Sequence, residues 1–230
     1  MKVARVPIVC GAILFDLLLG DPQIRPGAEA GYKAISSATS EQVPEGNVGA
    51  GAGATVGKMM GLEYAMMGGL GSSALSRPDG LKVGALVAVN AMGDIVDPET
   101  GTIIAGARNK NGEGFVDVMR ELRGGYQPVS PFSGNTVIGV VATNAALTKA
   151  QCTKVAQMAH DGLARCIYPS HAPWDGDTIF AISTGTWDCQ RADTGVIGAL
   201  AADAMAAAII RGVMNAESWG GFPSVRDYSR

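Results

Sequence analysis

The spacing of apolar and polar positions changes along the chain, and those changes mark its elements. In residues 7–19, Ile8, Ile13, Phe15 and Leu18 are among the apolar positions, a pattern that predicts a buried amphipathic helix. Residues 26–37 predict a second short helix, opened by Pro26 in its first turn. The run from Leu81 to Val89 predicts a buried strand, continued over 93–96 and closed by a turn at Asp97-Pro98. Residues 99–133 are polar and glycine-rich, with one predicted helix around 115–122. So long a stretch with so little apolar content predicts an exposed loop or linker.

The character changes at Thr136. Residues 136–143 are apolar and β-branched, which predicts a strand. Residues 147–166 follow as a helix, with Thr148 as N-cap and Val155, Met158 and Leu163 facing a core. Pro169 and Pro173 bracket a turn, and Asp177 then leads into a strand over 178–183. Residues 193–214 form a long helix whose alanines allow close packing. Strands and helices interleave without an internal repeat, which predicts a layered α/β (α+β) fold in a single domain over 1–230.

Composition narrows the chemistry. With 47% hydrophobic and 17% charged residues, the chain can bury a core. A net charge of −3 and scattered Lys and Arg give no reason to expect nucleic acid or an anionic membrane surface as partner. The opening residues imitate a signal peptide, but Asp16 interrupts the apolar run and no small-x-small cleavage site follows. The alanine-rich run near 200–214 is broken by Asp203 and Arg211, so no membrane span is expected. Cys10, Cys152, Cys166 and Cys189 fit neither a zinc site nor a disulfide framework, and read as buried reduced thiols of a cytoplasmic protein. Only His160 and His171 are present, too few for a histidine-rich metal site.

The glycine tract from Gly46 to Lys58 invites a phosphate-loop reading, which fails. Ala52 stands where that motif needs glycine, and Met59 where it needs Ser or Thr. A dinucleotide fingerprint fails too, because the third glycine and the preceding hydrophobic strand are missing. What remains is a tract of small residues through which backbone can approach backbone or a ligand.

Two constellations carry chemistry. Ser133-Gly134-Asn135-Thr136 is a turn entering a strand, and the plain reading is a strand start. The functional reading is that Thr136 attacks the Asn135 carbonyl and becomes a new N-terminus. Its freed α-amino group, with an ordinary pKa near 8, would then serve as base for its own hydroxyl, needing neither histidine nor cofactor. Asp175-Gly176-Asp177 places two carboxylates on one tight turn at the head of another strand. They are either a solvated turn or the groups that hold the ammonium and hydroxyl of such a nucleophile.

The run from Gly134 to Asn144 resembles the cleavage segment of the L-aminopeptidase/D-amidase-esterase family, which includes β-peptidyl aminopeptidases and nylon-oligomer hydrolases. The resemblance extends from about Val3 to about Met214, through Val6-Pro7-Ile8-Val9, Gly46-Asn47-Val48-Gly49-Ala50-Gly51, Val87-Ala88-Val89-Asn90-Ala91 and Asp175-Gly176-Asp177-Thr178. It implies an αββα sandwich like that of N-terminal nucleophile hydrolases. It also implies self-cleavage into parts 1–135 and 136–230, an α/β heterodimer that assembles further into homo-oligomers, and a small peptide or amide as substrate. By position, Thr136 would be the nucleophile and Asn135 the other cut end. Asp175 and Asp177 would orient Thr136, Lys58 would sit near it, and Asn90 would donate to the oxyanion.

Two departures accompany the resemblance. Some members use a tyrosine hydroxyl near the oxyanion, where this chain has Phe15. Members are also longer before the cleavage point, by on the order of a hundred residues. The chain is therefore expected to lack the first strands of the sandwich, leaving a sheet edge and apolar surface uncovered. The competing readings are an acyltransferase like the ornithine acetyltransferases, whose surrounding motif is missing here, and a truncated remnant that only packs or assembles.

Overall fold

Alternation on the strands decides the architecture. The computed structural model describes residues 3–4, 6–128, 135–187 and 192–228. Its main sheet contains β3 (Gly69–Ser76), β4 (Lys82–Val89), β7 (Ile138–Thr143) and β9 (Thr178–Ser183), in that order. The first three run antiparallel to their neighbours, whereas β7 and β9 are parallel. On one face Val83, Val87, Val141 and Ile179 are buried against α3 (Lys149–Cys166) and α4 (Thr194–Met214). On the opposite face the row Leu86, Val140 and Phe180 is only half-buried, and Ile182 is exposed.

The helices begin where side chains satisfy their first amides. Thr148 Oγ1 accepts from the Gln151 amide and the Gln151 side chain accepts from the Thr148 amide, a complete capping box. Asp193 Oδ1 accepts from the Gly195 and Val196 amides to start α4. By length and composition α4 could cross a membrane, but here it is a core helix, with Met205 and Ile209 fully buried. Small residues let it approach β3. A Cβ on Gly71 would lie 2.0 Å from the Ala208 carbonyl oxygen, and one on Gly69 would lie 2.4 Å from that of Gly212.

Smaller elements complete the chain. They are α1 (Ala28–Ser36), β1 (Thr55–Val56) paired with β2 (Met66–Met67), β5 (Asp94–Val96) between β6 (Ile103–Ala105) and β8 (Ile167–Tyr168), and α2 (Val118–Arg123). The glycine tract is structural. A Cβ on Gly51 would sit 2.1 Å from the Leu70 nitrogen, and Glu45 beside the tract accepts from Arg211, Asn215 and Ser72.

Three expectations are corrected. Residues 7–19 are not a buried helix: they are irregular, with Ile8 89% and Ile13 87% exposed. A helix that short is marginal unless its apolar face is packed, and here Ile8, Ile13 and Leu18 are left exposed. Residues 99–128 are a folded segment, because Ala107 and Val118 join Met59 and Met92 in a small second core. Asp94 anchors that segment by accepting from the Ala107 and Val118 amides. Burial still pushes its carboxyl up to about 6, against those two bonds. Of the cysteines, Cys166 is buried, Cys152 half-buried and Cys10 exposed, and Cys189 lies outside the described residues.

Gly71→Ala tests the helix–sheet approach. The added methyl meets backbone atoms that cannot swing away, so the variant is expected to lose about 3 kcal/mol, the upper end for overpacking, in urea unfolding.

Candidate active site

Register alone gathers the expected residues. Because β4 and β7 pair antiparallel with Ala88 opposite Ile138, the end of β4 lies beside the start of β7. The Thr136 amide consequently donates to the Asn90 carbonyl at 3.0 Å. The parallel pairing of Ile138 with Thr178 sets Asp175-Gly176-Asp177 alongside Asn135-Thr136-Val137. Asn135 forms a parallel bridge with Asp175, and the Gly176 amide donates to the Asn135 carbonyl at 2.9 Å. Asn135 and Thr136 are both buried.

Gly176 is small for a reason. A Cβ there would lie 2.6 Å from Thr136 Oγ1, so glycine alone leaves that oxygen its space. The flanking carboxylates divide their contacts. Asp177 Oδ1 accepts from the Val137 amide at 3.0 Å. Asp175 Oδ2 accepts from the Ala172 amide at 3.0 Å, and burial is the main cause that pushes the Asp175 carboxyl up to about 6.

Lys58 enters from the glycine tract. Gly57 adopts φ +72, and a Cβ on it would come within 2.1 Å of the Gly106 backbone. That turn aims Lys58 Nζ at Asn90 Oδ1, 2.6 Å away. The same oxygen accepts from the Thr55 amide, while Asn90 Nδ2 donates to the Phe15 carbonyl at 3.1 Å. Burial pushes the Lys58 ammonium down to about 7, against the attraction of Asp175 and Asp16. At neutral pH the amine is therefore poised between its charged and neutral forms.

A cleft of about 300 Å³ opens onto this cluster, with Lys58 and Asn135 in its wall. The rest of the lining is mainly apolar: Phe15, Leu19, Met59, Met60, Met92 and Tyr126, with Asp16 as its one carboxylate among the described residues. The structure thus brings Lys58, Asn90, Asn135, Thr136, Asp175 and Asp177 into one contiguous group.

Sequence reasoning passed over two residues here. A count of histidines treats His171 only as a metal ligand, yet its Nδ1 lies 2.9 Å from Asp177 Oδ2. Its place in the short stretch between helix and Asp-Gly-Asp turn was the available signal. Tyr126 sat in the supposed linker, and lines the cleft with its hydroxyl donating to the Met59 carbonyl at 3.3 Å.

Comparison with known proteins follows the same lines. The family model for Peptidase family S58 matches residues 1–226. An uncharacterized aminopeptidase of Mycobacterium tuberculosis is 39% identical over 247 residues, covering 99% of this chain and 69% of that protein. A 6-aminohexanoate-oligomer endohydrolase of Paenarthrobacter ureafaciens is 29% identical over 210 residues, covering 88% of this chain and 57% of that one. Among solved structures, a Burkholderia sp. beta-aminopeptidase superposes with a TM-score of 0.57 at 24% identity, over 87% of this chain and 55% of its own. The L-aminopeptidase D-Ala-esterase/amidase of Ochrobactrum anthropi, described as a variant of the Ntn hydrolase fold, gives 0.58 at 21% identity, over 85% and 51%. At those identities the two structures bear on fold alone, and the chain spans about half of each.

The environment of Lys58 is directly testable. Its amine is expected to titrate near pH 7 in lysine-selective NMR, and Asp175→Asn, which removes a raising charge, is expected to lower that value. A lysine depressed from 10.5 contributes stability present above that pH and lost as pH falls through about 7. An amine titrating above 10 would contradict the buried placement.

Proposed function

We propose, from the premise that this chain belongs to Peptidase family S58, that it is a self-cleaving amide or peptide hydrolase whose nucleophile is the Thr136 hydroxyl. The observation that carries the reading is the parallel register that seats Thr136 Oγ1 against Gly176, between two aspartates.

In the self-cleavage step, Thr136 Oγ forms a bond to the Asn135 carbonyl carbon and the Asn135–Thr136 C–N bond breaks. The hydroxyl proton ends on the departing nitrogen. The Gly176 amide already donates to the Asn135 carbonyl oxygen, so it is placed to stabilise the negative charge that develops there. Water then hydrolyses the ester, leaving a carboxylate on Asn135 and a free amine on Thr136.

In turnover, that amine takes the proton from Thr136 Oγ as the oxygen attacks a substrate amide. The leaving amine departs protonated, and water hydrolyses the acyl-ester. Asp177, bonded to the Val137 amide, holds the backbone that carries the nucleophile, and Asp175 balances the new ammonium. Asn90 and Lys58 line the side from which an oxyanion would be stabilised.

The mainly apolar cleft beside Asn135 suits a substrate with an apolar side chain or a methylene chain. The aminopeptidase relatives and the oligomer hydrolase relative support amide hydrolysis over acyl transfer. The reading extends to an α/β heterodimer after cleavage, to homo-oligomers of it, and to a reducing cytoplasmic setting in which Cys10, Cys152 and Cys166 stay free.

Two variants test it. Thr136→Ala is expected to leave one intact mass where the parent gives fragments 1–135 and 136–230, and to release no p-nitroaniline from amino-acid anilides. Gly176→Ala is expected to fold and yet remain uncleaved, since its methyl occupies the space of Thr136 Oγ1. Normal processing of either variant would refute the assignment.

A further inference from the structure

We propose that His171 is a positioning residue of this site: it clamps the Asp177 carboxylate onto the Val137 amide, and so fixes the peptide unit next to Thr136. The inference rests on the reading of Thr136 as nucleophile, but it is carried by separate contacts.

One carboxylate joins two segments. Asp177 Oδ1 accepts from the Val137 amide at 3.0 Å, one residue after Thr136. Asp177 Oδ2 accepts from the other side, from the His171 amide at 3.3 Å, with His171 Nδ1 at 2.9 Å. The chain His171–Asp177–Val137 therefore runs from the helix α3 side of the turn to the head of β7 without a gap. A carboxylate held at one oxygen only can rotate about its terminal bond, whereas one held at both cannot.

Both ring nitrogens of His171 face acceptors. Nδ1 faces Asp177 Oδ2, and Nε2 lies 3.3 Å from the His160 carbonyl oxygen, which accepts only. Neutral imidazole has a single N–H and can satisfy one of them. The imidazolium satisfies both, so the geometry selects the charged ring. The backbone bends to permit this: His171 has φ +56, in the left-handed region that side chains rarely adopt. Such an outlier persists where surrounding contacts over-determine it.

The charges around the ring agree. Asp177 and Asp175 face it from the turn, and the His160 ring lies edge-on to it from α3 at 4.8 Å, with Asp161 acting on His160 and not on His171. The Asp177 bond is the largest cause raising the His171 pKa above 6.5, against burial, while burial and the neighbouring cation depress His160. One cation thus offsets a pair of carboxylates that would otherwise repel each other across Gly176.

The clamp is complete below the ordinary histidine pKa and weakens as pH rises through the raised value, where the neutral ring keeps only one of its two N–H donors. Activity then carries an alkaline decline that belongs to His171 and not to Thr136.

The test uses the full chain. Histidine-selective ¹⁵N NMR is expected to show both nitrogens of His171 protonated at pH 6.5, with a pKa that falls in Asp177→Asn. His171→Ala is expected to slow self-cleavage and lower kcat on an amino-acid p-nitroanilide by about ten- to a hundredfold, as expected of a misplaced nucleophile, with little change in KM. His171→Asn, whose amide donates from near the Nδ1 position but does not titrate, is expected to recover most of that rate and to lose the alkaline decline.

A neutral imidazole at pH 6.5, or one indifferent to Asp177→Asn, overturns the proposal even if His171→Ala fails to fold. So does a folded His171→Ala protein with parental rates and pH profile. Thr136→Ala separates the two readings. Should that variant still cleave itself and hydrolyse anilides, the nucleophile assignment falls, while the NMR titration still judges the His171–Asp177 clamp.

Discussion

The parallel pairing of β7 with β9 is the constraint on which the site depends. Six matched pairs, from Ile138–Thr178 to Thr143–Ser183, hold the register. Side chains alternate with a period of two, so a slip by one residue would turn Ile179 and Val141 out of the core. Burial of those residues against α3 and α4 therefore fixes, some residues away, which backbone atoms meet at the head of the sheet. Packing energy at one end of the strands becomes positional accuracy at the other. The Asn135 carbonyl, the Gly176 amide and the Asp177 carboxylate owe their meeting to residues that touch none of them.

Around that head, burial and charge work against each other. Lys58 and Asp175 are each pushed toward the neutral form, and each is drawn back by the other's charge. Each is thereby held nearer its neutral form than a solvated lysine or aspartate would be. Asp177 is treated differently. It is pinned by two backbone amides and a histidine and does not stand loose in the cleft. Of two carboxylates one glycine apart, Asp175 is raised by desolvation and Asp177 is held in place by hydrogen bonds.

Much of this was legible in the sequence because its signals are local. The β-branched runs over 81–89, 136–143 and 178–183 became strands, and Thr148 capped its helix, since neither needs distant partners to be recognised. Thr136, Asp175 and Asp177 stood out because hydroxyl and carboxylates began two such strands. What was missed depends on packing that spacing does not encode. The apolar spacing of 7–19 is a helix signal only if something covers its face. Residues 99–128 carry few apolar groups, but Ala107 and Val118 sit where Met59 and Met92 can bury them. His171 contributes through a left-handed backbone turn and a contact six residues away, and a count of histidines shows neither.

Strand order has a mechanical consequence. β7 begins just after the Asn135–Thr136 junction, yet it lies between β4 from before that junction and β9 from after it. Its ladder with β4 covers residues 138–143 and 83–88, and α4 from the later part packs across β3 and β4 from the earlier part. Severing the backbone at residue 135 would thus leave two polypeptides woven through one sheet, separable only by melting it. Nicked and intact forms are each expected to unfold in one cooperative transition, that of the nicked form shifting with protein concentration because melting releases two chains.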